Sequence, residues 1–258
     1  MNAKGDVIAT VDTDVIIRMI LDNNQRGKAY RLVKEMGAKA YQLLAMMSEH
    51  SDSNVRWYAA DLLGELAGTE GVEPIAKLVL TDDDVHTRWR AIWAASRVKN
   101  RILPILREAL NDECKRWNAA VALAVLGDDS GAKILLETLR AGECWMKWEA
   151  LFALREIVTK DMINIVASLI EDECEDVRRE AALTLGKIGE EALPYLLKAL
   201  DHGDPEVRWR AAMSIGQIGS REAIPHLKRK LRKEVNPTVK YQILKTIEEI
   251  ESNSKALT

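Results

Sequence analysis

The stretch DPEVRWRAAMSIGQIG, residues 204–219, decides the fold, because the chain repeats it. DSNVRWYAADLLGEL at 52–66 and EDVRREAALTLGKIG at 175–189 match it closely. Shorter echoes are TRWRA at 87–91, KRWNAA at 115–120, MKWEA at 146–150, VKYQI at 239–243 and QRGKA at 25–29. Aligned on the basic residue, the copies place Arg26, Arg56, Arg88, Arg116, Lys147, Arg178, Arg208 and Lys240 in one register, with neighbours 28–32 residues apart. A fixed period of this length signals a solenoid, in which each unit buries its apolar face only against its neighbours.

Each unit reads as two helices. Val55, Ala59, Leu63 and Leu66 form one helical stripe on the second helix. Ala59, Ala60 and Gly64 are small enough to let adjacent helices approach closely. Asp22, Asp52, Asp84, Asp112, Asp204 and Asn236 each stand four before the basic residue, where their side chains can take the unpaired N–H groups of a helix start. Pro205 and Pro237 follow at the first helical position, which tolerates proline. Pro74, Pro104, Pro194 and Pro225 share a register in the first helix. The expected fold is all-α: a right-handed α-solenoid, an α–α superhelix of about eight two-helix repeats in one domain, 1–258. The expected units are 11–37, 38–68, 71–99, 100–128, 130–158, 160–189, 190–219 and 220–252.

The pattern resembles HEAT repeats, specifically the PBS lyase HEAT-like subtype, whose hallmark D-P-x-V-R-x-x-A-A-x-x-L-G-x-I-G residues 204–219 match almost in full. The resemblance covers about residues 11–250. It is strong in units two, six and seven and weak at both ends, as capping repeats with a polar outer face should be. The basic run Lys228–Lys233 fits such a solvated cap face.

Composition narrows the function classes. The chain of 258 residues has a formal net charge of −3, so binding driven by phosphate neutralisation is disfavoured. No run of 18 apolar residues is present, which leaves no spanning helix. The N-terminal apolar stretch is broken by Asp12 and Asp14 and lacks a secretory core and cleavage site. Three cysteines, an odd count, argue against a disulfide framework and for a reduced cytoplasmic setting.

No P-loop, GxGxxG, HExxH or GxSxG motif is present, and the expectation is no catalytic residue, no metal and no cofactor. Some HEAT-like metalloenzymes carry His-Glu pairs in successive repeats, whereas none of His50, His86, His202 and His226 is followed by Glu. Cys114, Cys144 and Cys174 recur at intervals of 30. Stacked helices lie about 8–10 Å apart, so cysteines in successive units are expected to be too far apart to bond, with Cys144, beside Trp145, the one to test for reactivity. The acidic run Glu171–Asp176 reads as a solvated turn at a helix start. The basic register is expected to reach an Asp of the adjacent unit, in pairs worth ~0–1 kcal/mol each when partly exposed.

The tryptophans are the distinctive feature: the chain has 7 Trp and 1 Phe. The residue after each basic position is Gly27, Trp57, Trp89, Trp117, Trp148, Arg179, Trp209 and Tyr241. Trp93 and Trp145 fall on the same helical ridge by their spacing to Trp89 and Trp148. One reading packs this ridge between repeats. The other, implied by the resemblance, turns it to the concave groove. The groove reading is preferred, because the Val55–Leu66 stripe already supplies the packing and a buried indole N–H needs a partner. The expected partner-binding residues are Trp57, Tyr58, Trp89, Arg90, Trp93, Trp117, Trp145, Trp148, Phe152, Trp209, Arg210 and Met213. The expected function is a non-enzymatic interaction scaffold or adaptor gripping a protein segment. The alternative is a bilin lyase-like or tetrapyrrole-binding chaperone holding a flat ligand. Nucleic-acid binding by stacking on Trp ranks last.

Overall fold

A computed structural model describes residues 12–255, and among them sixteen α-helices and short 3-10 turns but no strand occur. The chain divides into two compact units, one ending at Gly131 and one beginning at Ala132. In the first, the helix pairs are α1 (Thr13–Leu21) with α2 (Arg26–Glu35), α3 (Ala40–Met47) with α4 (Ser53–Leu66), α5 (Val72–Thr81) with α6 (Val85–Arg97), and α7 (Lys99–Ala109) with α8 (Arg116–Val125). In the second they are α9 (Ala132–Ala141) with α10 (Cys144–Leu154), α11 (Ile163–Ser168) with α12 (Glu175–Ile188), α13 (Leu193–Ala199) with α14 (Pro205–Ile218), and α15 (Ala223–Lys233) with α16 (Pro237–Lys255). Every even-numbered helix carries one basic residue of the register, so the chain is an all-α solenoid of two-helix repeats. Of the N-terminal stretch read for targeting, residues 1–11 lie outside the described residues.

The caps form as the sequence requires. Asp52, Asp84 and Asp204 accept backbone N–H bonds from Asn54, Thr87 and Glu206 at 2.9, 2.7 and 2.9 Å. Asn236 does the same for Thr238 and Val239. Units one and four differ: Asp22 and Asp112 cap a preceding turn, through Asn24 and Cys114, and the helix starts only at the basic residue.

The basic register has a double role. Arg26, Arg56, Arg88, Arg178 and Arg208 each donate to the carbonyl six residues earlier, at Ile20, His50, Asp82, Asp172 and His202, over 2.8–3.0 Å. Those carbonyls lie at or just beyond the end of the first helix of the same repeat, where the helix dipole is negative. A cation near the start of the second helix is therefore well placed, because it serves the end of the first. Three of these arginines, and Lys147 of the same register, also reach the next repeat: Arg56 to Asp82 at 2.8 Å, Lys147 to Asp172 at 2.8 Å, Arg178 to Asp204 at 3.1 Å and Arg208 to Glu234 at 2.8 Å. The positions 26 residues on from Arg88 and Arg116 are Cys114 and Gly142, which bear no carboxylate. Arg208 and Glu234 are both buried and bond through two parallel N–H···O contacts. Removing one partner of that rung is expected to cost about 3–5 kcal/mol, because it would leave the other charge buried and unpaired.

The core is aliphatic: Val55, Ala59 and Leu63 are fully buried, whereas Leu66 is half-buried. Glycine sets how closely second helices meet. A Cβ at Gly64 of α4 would lie 2.9 Å from the Cα of Ala94 on α6, and one at Gly186 of α12 would lie 2.7 Å from the Cβ of Ser214 on α14.

The cysteines correct one expectation. Cys144 and Cys174 are disulfide-bonded, with Cα atoms 5.8 Å apart. The 8–10 Å spacing separates helix axes, whereas Cα atoms ride about 2.3 Å off axis. Cys144 begins α10 and Cys174 is the N-cap of α12, so two helix starts carry the Cα atoms inside bonding range. Cys114 is free and exposed.

Two predictions follow from these contacts. Gly64→Ala should destabilise the fold by about 1–3 kcal/mol through overpacking. Gly203→Ala, where nothing stands within 4 Å of the added carbon, should stay within about 0.5 kcal/mol; urea unfolding of both variants measures the difference. For Glu234, the Arg208 hydrogen bonds hold the carboxyl down at about 2, against an ordinary 4.5. Its stabilisation, about 3 kcal/mol, is therefore complete above pH 4.5 and drains away as pH falls towards 2. Acid titration of stability should show this component, and Glu234→Gln should lack it.

Candidate functional site

The ridge residues sit on successive second helices: Trp57 and Tyr58 on α4, Trp89, Arg90 and Trp93 on α6, Trp117 on α8, Trp145, Trp148 and Phe152 on α10, and Trp209, Arg210 and Met213 on α14. Their neighbours Ala59, Ala91, Ala119, Ala150 and Ala211 are fully buried and fix the helix rotation. None of the seven indoles is buried. Trp93 is 58% exposed, Trp145 53% and Trp148 37%; Trp57, Trp89, Trp117 and Trp209 are half-buried.

In the first compact unit the ridge is knitted by cations and carboxylates. Arg90 lies over the Trp57 ring at 4.9 Å and forms an ion pair with Asp61. Asp61 also accepts a 2.5 Å bond from the Tyr30 hydroxyl. Tyr58 stands edge-on to both Tyr30 and Trp57, with Arg26 over its ring at 4.7 Å. Burial, followed by the neighbouring Tyr58, pushes the Tyr30 phenol up to about 12. A cavity of about 370 Å³ opens beside this group, lined by Asp61, Glu65, Arg90, Trp93 and Arg97 among others. Lys34 pairs with Glu65 at 2.7 Å and holds its carboxyl below the ordinary range.

In the second compact unit Trp148 stacks on Phe152 at 5.7 Å, and Arg155 covers Phe152 at 4.9 Å. Trp145 donates through its indole N–H to Glu143 at 2.9 Å. Arg210 lies 5.9 Å from the Trp209 ring. Between these two groups in the repeat order stands α12, which carries Arg179 at the tryptophan position. Arg155 bonds Glu180 of α12 at 2.8 Å. Burial raises the Glu180 carboxyl, against the opposing pull of Arg155 and Arg210.

Tyr30, Asp61, Arg155 and Glu180 belong to this surface and were absent from the expected set. A signal existed for two of them. Asp61 stands four after Trp57, and Glu180 shares the register of Tyr58, Arg90 and Arg210.

The histidines are engaged elsewhere. His50 and His202 accept, at Nδ1, the backbone N–H of Asp52 and Asp204 at 3.0 Å each. Among the described residues no group of three or more His, Cys, Asp or Glu is placed to hold a metal ion. Among them, too, no helix is long and apolar enough to cross a membrane.

The model of HEAT repeats matches residues 41–127, 132–203 and 189–248, and the chain belongs to that family. Two curated relatives carry the name deoxyhypusine hydroxylase. The protein of Eremothecium gossypii is 33% identical over 89 residues, which is 33% of this chain and 28% of the relative. The protein of Candida albicans is 27% identical over 220 residues, 70% of this chain and 69% of the relative. A solved structure of the karyopherin Kap121p bound to the extreme C-terminus of the protein phosphatase Cdc14p matches at TM-score 0.62 and 16% identity, covering 95% of this chain and 35% of that one. Its likeness is one of fold.

These relatives correct the functional expectation. The chain was expected to be no enzyme, a non-enzymatic scaffold or adaptor, with a bilin lyase-like chaperone and nucleic-acid binding as alternatives. Both curated relatives are named as an enzyme, and neither name matches an alternative. Composition and motif absence misled because a surface rich in Trp and Arg carries no information about the chemistry of distant relatives. Hydroxylation by O₂ takes a redox metal or an organic redox cofactor, and protein iron sites of this kind use paired His with carboxylate. The described donor set does not fit such a centre: the nearest His–carboxylate approach is His202 to Glu171 at 3.6 Å, with no third donor grouped there.

Proposed function

We propose that this HEAT-repeat protein recognises a polypeptide segment at the second helices α4 and α6 of its first compact unit, with a basic side chain seated against Trp93. One observation carries the reading: seven indoles fall on one ridge of second helices and none is buried, with Trp93 the most exposed. Exposed aromatic surface on this scale marks a binding site, and Trp with Arg is the composition of interface anchors.

The choice of a basic side chain rests on the ridge's own chemistry. Trp57, Tyr58, Phe152 and Trp209 each already lie within 4.7–5.9 Å of a guanidinium from the same chain. Rings placed this way attract cations through their quadrupole. Trp93 is the exposed ring lining the 370 Å³ cavity, where Asp61 and Glu65, already paired with Arg90 and Lys34, supply carboxylate oxygens and Arg97 a further cation. The karyopherin bound to the extreme C-terminus of a protein phosphatase supports the general idea that a solenoid of this fold can hold a polypeptide end. The name of the curated relatives supports a modified basic residue of a protein as the thing recognised. The reading includes a cytoplasmic setting, where a disulfide is ordinarily transient.

Selection of displayed random peptides against the purified full chain tests the reading. Binders enriched in Lys or Arg are expected, and Trp93→Ala should weaken them about tenfold or more. Failure to enrich any peptide, or binding that Trp93→Ala leaves unchanged, overturns it.

A further inference from the structure

We propose that Cys144 and Cys174 form an exchangeable redox pair, a thiol–disulfide site that a small dithiol opens and a small disulfide closes. The Cα atoms stand 5.8 Å apart, within the range a disulfide spans without moving the backbone. Both cysteines line an open cavity of about 770 Å³ with Arg140, Lys147, Ser168 and Glu171, which is ample for a small thiol. Cys144 is exposed, whereas Cys174 is half-buried. An incoming thiolate therefore meets the Cys144 sulfur first.

The exchange balances as follows. The reductant thiolate attacks Cys144 Sγ, a new S–S bond forms there, and the Cys144–Cys174 bond breaks with Cys174 leaving as a thiolate. The reductant's second thiolate then attacks its own sulfur in the mixed disulfide and releases Cys144 as a thiolate. Two electrons pass to the protein, two protons follow from solvent, and the reductant leaves as its cyclic disulfide. The leaving sulfur is placed to carry charge. Cys174 is the N-cap of the fourteen-residue α12, and Cys144 is the first residue of α10, both at the positive ends of helices. Lys147 lies in the same cavity and opposes the carboxylates of Glu171, Asp172 and Glu173.

The bond also sits at a step of the solenoid where the rung is made by a lysine rather than an arginine. Arg56, Arg178 and Arg208 bond both the carbonyls of their own first helix and a carboxylate of the next repeat. At the equivalent place Lys147 contributes its bond to Asp172 at 2.8 Å. The disulfide ties the same two helix starts, so opening it leaves two ion pairs across that step, Lys147–Asp172 at the helix starts and Arg155–Glu180 just past the end of α10. Redox state thereby sets how firmly α10 and α12 are joined.

The test uses the full chain with Cys114→Ser, which removes the third thiol. The protein is equilibrated across a series of reduced to oxidised dithiothreitol, trapped with iodoacetamide and weighed. The expected result is one reversible transition in which Cys144 and Cys174 gain their labels together, while the protein stays folded. Reduction should lower the Tm by several degrees and alter tryptophan emission in a way that Trp145→Phe removes. Cys144→Ser and Cys174→Ser should match the reduced form and no longer respond. Full labelling of both cysteines in oxidised buffer overturns the proposal, as does a bond that opens only after denaturant is added.

Discussion

The guanidinium of the repeat arginine is the interaction on which the other features depend. It takes the last carbonyls of one helix, whose ends would otherwise lack partners, and a carboxylate of the repeat that follows. Within one repeat it closes the turn between the two helices. Between repeats it fixes the register, because the acid that receives it stands in the turn between the two helices of the next repeat. At Arg208 the rung is buried against Glu234, so neither charge can lose its partner without leaving the other unpaired away from water.

That anchor also explains the tryptophans. With the arginine directed into the turn and the alanine pair directed into the core, the residue between them faces neither. Close packing through Gly64, Gly186 and the alanines leaves no room for an indole between second helices. The ridge is therefore where a large amphipathic ring can be accommodated, and the chain places one there in five of its eight repeats. Arginines two positions after the anchor, Arg90 and Arg210, then lie over rings of the same ridge. A surface of this kind is prepared for cations by its own composition.

Much of the fold was legible because period, caps and stripe all rest on local spacing. Asp52, Asp84, Asp204 and Asn236 cap where the register puts them, and Val55, Ala59 and Leu63 form the buried stripe. Three-dimensional facts were less accessible. The Cys144–Cys174 bond depends on where two helix starts meet, which axis spacing does not give. Asp61 and Tyr30 are 31 residues apart and meet only because adjacent second helices lie side by side. At Cys114 and Gly142 the ladder of carboxylates lapses, a break visible in the sequence only once the receiving position, 26 residues on, is known. Chemistry was least legible of all: relatives named for a hydroxylase share the repeats, whereas the described residues of this chain lack a matching donor cluster.

The central claim is that the ridge faces solvent while the arginine register holds the helices behind it. Fluorine NMR of protein labelled with 5-fluorotryptophan, with the seven signals assigned by Trp→Phe variants, tests it through the shift of each signal between H₂O and D₂O. The account predicts the largest solvent shifts at Trp93, Trp145 and Trp148, smaller ones at the four half-buried indoles, and none that is insensitive. Signals indifferent to solvent at Trp93 and Trp148 would contradict it, placing the ridge between repeats instead.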